Sequence, residues 1–350
     1  MTSAAPAACS QVAGPSAAMV TKRLTQATSS THLLRNMGRN FVHFDHIHTT
    51  TCLHYLAKFC GDREVGEQKG AIPSPKIKIV QLVLSKHAGF MESQVLEARQ
   101  IGSTAWAFST LSEAVSWPPS FVRLLAATVT GSIPRLRHRD VANCLWAFAR
   151  VQTKVRCFPK LDRLEEGHLG GSTLNESEDQ EIEKALEALD DVRYRLATSK
   201  AMSRPEAFKP QELSNVAWAM ALCRVATEAE KEIHHAIQEA GRRVLELEPQ
   251  HLANITWAVA TATLNVSNSS QALGCLFDQV RVQARSFKAQ ELANVVWALG
   301  VLSASVGVAV RSTALRSVCS ASQLELQRPD SEPRHIASTV WAFALSVQAH

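Results

Sequence analysis

The densest cluster of chemically competent side chains is "HFDHIHTTTCLH" (43–54), which sets His43, His46, His48, Cys52 and His54 within twelve residues. Imidazole and thiolate are zinc ligands, but this spacing fits none of the usual finger patterns. A worn helix with its approach loop accounts for the same residues. Elsewhere there is no GxxxxGK[ST] phosphate loop, no GxSxG elbow and no HExxH pair. The carboxylates of the acidic stretch lack EF-hand spacing. The expectation is a protein that is not an enzyme and takes no metal or cofactor.

A second set of polar residues recurs along the chain. "FKPQELSNVAWAMALC" (208–223) returns as "LEPQHLANITWAVATA" (247–262) and "FKAQELANVVWALGVL" (287–302), with shorter echoes at 100–111, 140–151 and 335–346. Six of the seven tryptophans lie in this phrase: Trp106, Trp146, Trp218, Trp257, Trp297 and Trp341. Three residues before each stands Ser103, Asn143, Asn215, Asn254, Asn294 or Ser338. Six before stands Gln100, Asp140, Glu212, His251, Glu291 or His335. By the 3.6-residue period both positions fall on one side of a helix. Stacked copies then align a row of near-constant Asn beside a row of varying polar residues. Such rows suit a reader of something periodic; a hydrogen-bond ladder between neighbouring helices is the alternative for the asparagines. Glu212 and Glu291 also suit the positive end of a helix dipole, which leaves His251 and His335 as the stronger recognition candidates of their row.

The elements that must position these residues follow from the spacing. The tryptophans are 40, 72, 39, 40 and 44 residues apart. A unit of that size holds two helices and two turns, so the expected fold is all-α: a right-handed α-solenoid of stacked helical hairpins, about 39 residues per repeat. Pro210, Pro249 and Pro333, eight residues before a tryptophan, suit a first helical turn. Small residues four before and three after each tryptophan (Ala142, Ser214, Ala253; Ala149, Ala221, Ala260) share its face, and Leu213, Val216 and Met220 lie opposite. A helix apolar on two sides is sandwiched, so the tryptophans are expected as core. Second helices are expected at 120–133, 228–247 and 269–286. The 72-residue interval is either one unit with an insertion or a repeat that has lost its tryptophan.

Charge is uneven. Between Asp162 and Asp191 there are eleven acidic and two basic residues; the remainder carries 35 basic against 21 acidic, a net +14. A basic body suits a polyanion. Arg135, Arg137, Arg139, Arg242, Arg243, Arg281 and Arg285 are the candidate phosphate contacts. Met1 to Phe44 contains no acidic residue, the composition of an organelle transit peptide or of a disordered tail. Residues 1–40 are therefore read as disordered, 41–97 as a degenerate repeat or cap with His54 or Tyr55 in the tryptophan's place, and 98–350 as the repeat array with its acidic interruption at about 162–191. Eight scattered cysteines without a CxxC pair or secretory leader fit a reducing compartment. No apolar run reaches membrane-span length.

With "FKPQELSNVAWAMA" and "FKAQELANVVWALG" on the page, the unit resembles the octotricopeptide repeat, and is similar to the repeat regions of RAP-domain and FAST-kinase-like proteins. The likeness covers about residues 98–350. It implies an organellar protein, of chloroplast or mitochondrion, that binds single-stranded RNA such as an organellar transcript or rRNA. Its expected work is RNA processing, stabilisation, splicing or translation, with other proteins of an RNA-processing complex as partners and no membrane. On this reading Asn143, Asn215, Asn254, Asn294, His251 and His335 contact RNA. Gly102-Ser103 and Ser338 depart from the pattern. No RAP domain follows before His350, so either a truncated chain or fragment, or a partner that covers this end of the array, is expected. The alternative is an armadillo-like protein-binding scaffold, although such repeats place Asn after the tryptophan rather than before it.

Overall fold

The computed structural model describes residues 16–61, 74–112, 117–155, 176–223, 230–262, 270–302 and 314–322, with 337 and 340. The described residues form helices and no strand, packed as an all-α solenoid. Backbone contacts divide the chain into two units, residues 1–96 with 110–116 and residues 97–109 with 117–350.

In the first unit, α1 (Ala17–Thr25) and α2 (Ser30–Asn40) make one hairpin, α3 (His46–Gly61) and α4 (Ser74–Glu92) the next. The expectation of disorder over 1–40 is corrected from Ser16 onward. Ser16 and Ser29 side chains cap α1 and α2, and Val20, Leu24, Leu33 and Met37 are fully buried. Apolar residues at helical spacing compensate the absence of acid, which composition alone does not reveal. The histidine cluster is dispersed by this fold. His48 sits in the third position of α3, where its Nδ1 accepts the Asp45 N–H (3.2 Å) and its Nε2 lies 3.0 Å from the Ala17 carbonyl. His87 pairs with the Thr49 hydroxyl at 2.9 Å, and burial lowers its pKa to about 4. Burial pushes the Cys52 thiol far above its usual range. Among the described residues no three His, Cys, Asp or Glu side chains are grouped to hold a metal.

The second unit holds α5 (Ala98–Leu111, of which residues up to 109 belong to this unit), α6 (Pro119–Ser132), α7 (His138–Val155), α8 (Glu176–Ala197), α9 (Pro210–Cys223), α10 (Glu230–Arg242), α11 (Pro249–Thr261), α12 (Ser270–Gln283), α13 (Ala289–Val301) and a helix over 314–322, α14. First helices pack on first helices in the order α7, α9, α11, α13; second helices pack as α6 on α8 and α10 on α12. Thus α7 and α8 form one hairpin, and the extra length of the 72-residue interval is shared among longer α7 and α8, the 156–175 stretch between them and the 198–209 stretch after α8. Of the acidic stretch, 176–191 belongs to α8, and 162–175 lies outside the described residues.

The second helices α6, α10 and α12 end within a residue of a 3-10 turn, at 133–135, 244–246 and 284–286, and after α8 a turn of the same kind stands at 205–207, beyond residues 198–204. The next residue is extended and buried: Leu136, Phe208, Leu247 and Phe287. The turn releases the chain so that this side chain enters the core before the next first helix starts. The first unit has the same device, a 3-10 turn at 41–43 and buried Phe44. Neighbouring repeats are tied by side chains reaching back to the earlier carbonyl: Arg243 Nη1 to Phe208 O at 2.7 Å and Gln283 Nε2 to Leu247 O at 2.9 Å. Gly102 allows α5 to approach α7, since a Cβ there would lie 3.1 Å from Asp140 Cα and Cβ.

Candidate functional site

Counting from the tryptophan as position 0, the first helices of the second unit repeat one burial pattern. Positions −5, −4, −2, −1, +1, +2 and +3 are buried in α7, α9, α11 and α13. The two sealed sides are those expected from the sequence, with Leu213, Val216 and Met220 on one and Ala217 and Ala221 among the small residues near 1 % exposed. Positions −3, 0 and +4 are open at least in part, and −7 is exposed. These four positions lie within about 60° of one another on a 3.6-residue helix, so each first helix shows solvent a single strip.

The tryptophans differ from the expectation of core: they are half-buried at the edge of this strip. Small residues on either side bring the backbones together, and the indoles, too large for that narrow space, meet one another at its rim. Ring centroids are 6.4 Å apart for Trp146–Trp218, 6.2 Å for Trp218–Trp257 and 6.3 Å for Trp257–Trp297, inclined by 32–39°. The result is a ladder of four rings across α7, α9, α11 and α13. The guanidinium of Arg150, at +4, lies 5.1 Å from the Trp146 ring centroid, a cation–π contact. Trp106 is half-buried on α5, and Trp341 lies outside the described residues.

Position −3 puts Asn143, Asn215, Asn254 and Asn294 in the same strip, all partly exposed. None of their amides hydrogen-bonds to another described residue, so the inter-helix ladder considered from the sequence is not formed. An amide with two donors and two acceptor lone pairs is left facing outward in each repeat.

Position −6 has another role. Its side chain accepts the backbone N–H three residues earlier and closes the start of its own helix. The bonds are Glu97 N–H to Gln100 Oε1 (2.8 Å), Arg137 N–H to Asp140 Oδ2 (3.3 Å), Lys209 N–H to Glu212 Oε2 (2.9 Å), Glu248 N–H to His251 Nδ1 (3.1 Å) and Lys288 N–H to Glu291 Oε2 (2.9 Å). This is the reach-back half of a capping box. His251, singled out above as a recognition residue, is buried with its Nδ1 in this bond; burial lowers its pKa, against a smaller opposing effect of Glu248. The varying row therefore faces the turn and not the strip. His335 lies outside the described residues.

The arginines divide in the same way. Arg243 is held by the Phe208 carbonyl and by Glu246 at 2.8 Å. Arg242 pairs with Glu239 at 3.2 Å, Arg281 with Asp278 at 3.7 Å, Arg139 with Asp140 at 3.5 Å, and Arg135 donates to Ser132 Oγ at 2.9 Å. Arg137 and Arg285 are exposed, and their side chains meet no described partner. Only Arg139 of this set occupies a strip position. The strip also contains residues the sequence reading passed over: Arg99, Gln211, Gln250 and Gln290 at −7, and Arg150 at +4. Their spacing of seven before and four after a tryptophan was the available signal.

The family model for the Tbc2 translation factor, N-terminal domain, matches residues 225–331, just under a third of the chain. The matched segment includes α10 to α14, and with them the Trp257 and Trp297 rungs. No curated protein matches the chain.

Proposed function

We propose that the chain is a single-stranded RNA-binding helical-repeat protein that acts, without catalysis of its own, in translation or another step of RNA processing or stabilisation in a chloroplast or mitochondrion. One observation carries the reading: outward asparagine amides without a described partner alternate with a ladder of half-open indoles along one strip. Amides hydrogen-bond to base edges and indoles take base faces, which together are what single strands offer and duplexes hide. Arg99, Arg139 and Arg150 on or beside the strip, with Arg137 and Arg285 at the turns, supply charge for phosphates. The match to a translation-factor domain supports the process, and the likeness to octotricopeptide repeats and the acid-free first residues support the organelle.

The test is fluorescence anisotropy of the full chain with randomised single-stranded RNA at about 50 and about 200 mM salt, with duplex DNA and an acidic peptide as competitors. RNA should bind in preference to both, more weakly at the higher salt. Changing Asn215, Asn254 and Asn294 together to Ala should lower affinity by about a hundredfold or more, at about 1 kcal/mol or more per lost contact. A folded chain that the acidic peptide binds better than RNA would replace this reading with a protein-binding scaffold.

A further inference from the structure

The strip is not uniform along its length. On α9, α11 and α13 positions −7, −3 and 0 are the same three residues each time: Gln211, Asn215 and Trp218; Gln250, Asn254 and Trp257; Gln290, Asn294 and Trp297. Only +4 differs, as Leu222, Thr261 and Val301. The three glutamines are exposed and, like the asparagines, hydrogen-bond through their side chains to no described residue. The variation that the sequence shows at −6 is turned into the helix caps. Three successive repeats therefore offer a ligand the same chemistry three times.

Resting on the RNA-binding reading above, we propose that α9, α11 and α13 select a run of three adenines, with the glutamine at −7 and the asparagine at −3 as the specificity-determining residues. A carboxamide presents a donor beside an acceptor and pairs bidentately with a base edge that does the same. Adenine carries a donor beside an acceptor on its Hoogsteen edge, N6 with N7, and again on its Watson–Crick edge, N6 with N1. Two amides on one rung match two such edges. Guanine's Hoogsteen edge has two acceptors, which suits arginine, the residue found at −7 on α5 and α7 as Arg99 and Arg139. Uracil and cytosine lack the second matching edge. Successive rungs are 6.2–6.3 Å apart across α9, α11 and α13, wider than the about 3.4 Å rise of stacked bases. Bases bound there are splayed, one to a repeat, each lying on an indole.

The experiment compares short uridine RNAs carrying AAA, AGA, GGG, CCC or UUU at their centre for anisotropy with the full chain at one salt concentration. AAA should bind about tenfold or more tighter than the others. Gln250→Arg, at an exposed position that leaves the fold intact by circular dichroism, should shift the best centre from AAA to AGA. RNA binding without a preference for AAA, or a preference that Gln250→Arg leaves unchanged, overturns the inference and spares the RNA-binding reading. A folded chain that binds no single-stranded RNA overturns both.

Discussion

His251 and Asn254 stand less than one helical turn apart, and their surroundings give them different work. The His251 Nδ1 accepts the Glu248 N–H and the ring is buried; the Asn254 amide is open and bonded to no described residue. His251→Ala should therefore cost about 1 kcal/mol of stability, the scale of a lost N-terminal cap, and leave RNA preference unchanged. His251→Glu should keep the cap, because Glu212 and Glu291 fill this place in the neighbouring repeats. The pH dependence follows from the sign of the shift. Burial lowers the His251 pKa, so below the ordinary histidine value of about 6.5 the unfolded chain takes up the proton first. Stability contributed by the neutral ring is full above that pH and is lost as pH falls toward the lowered folded value. Thermal unfolding of His251→Glu should show less of this loss than the parent chain. A change in RNA preference at unchanged stability in His251→Ala would contradict the assignment.

At the scale of elements, the close approach of second helices makes a sharper prediction than their composition does. A Cβ on Gly241 of α10 would fall 2.7 Å from Ala272 Cβ and 2.8 Å from Ala272 Cα of α12. Gly241→Ala gains about 1 kcal/mol of helix propensity but overpacks this contact at about 1–3 kcal/mol. Net destabilisation in urea unfolding is expected, with partial recovery in Gly241→Ala/Ala272→Gly; strictly additive effects would show that the two positions do not couple. The first helices were legible in the sequence because their tryptophans fix a phase, and the two apolar faces of α9 and α13 are where that phase puts them. The strip was harder to read. Trp−3 and Trp−6 lie close on a helical wheel, but −6 is also the third residue of the helix, where a backbone N–H competes for its side chain. A histidine doing the work of glutamate there gives no sign in its own type. The α1–α2 hairpin was hidden differently: Val20 and Leu24, then Leu33 and Met37, keep helical spacing, while the missing acid drew attention to composition.

At the scale of the whole molecule, the second unit assigns its two rows of helices to different tasks. First helices carry the open amides and indoles. Second helices carry the acidic part of α8, which packs on α6 and α7, with the Arg123–Glu181 ion pair joining α6 to α8. Among the described residues no helix is long and apolar enough to cross a membrane, and the open amides and indoles lie on the first-helix strip, whereas second helices expose paired charges such as Asp191–Arg195 and Asp278–Arg281. The most direct measurement is photo-crosslinking of single-stranded RNA to the full chain, with the linked peptides mapped by mass spectrometry. Crosslinks should fall on the first helices, at Trp218, Trp257, Trp297 and their neighbours in 208–223, 247–262 and 287–302. Crosslinks confined to the second helices α6, α8, α10 and α12 would contradict the account.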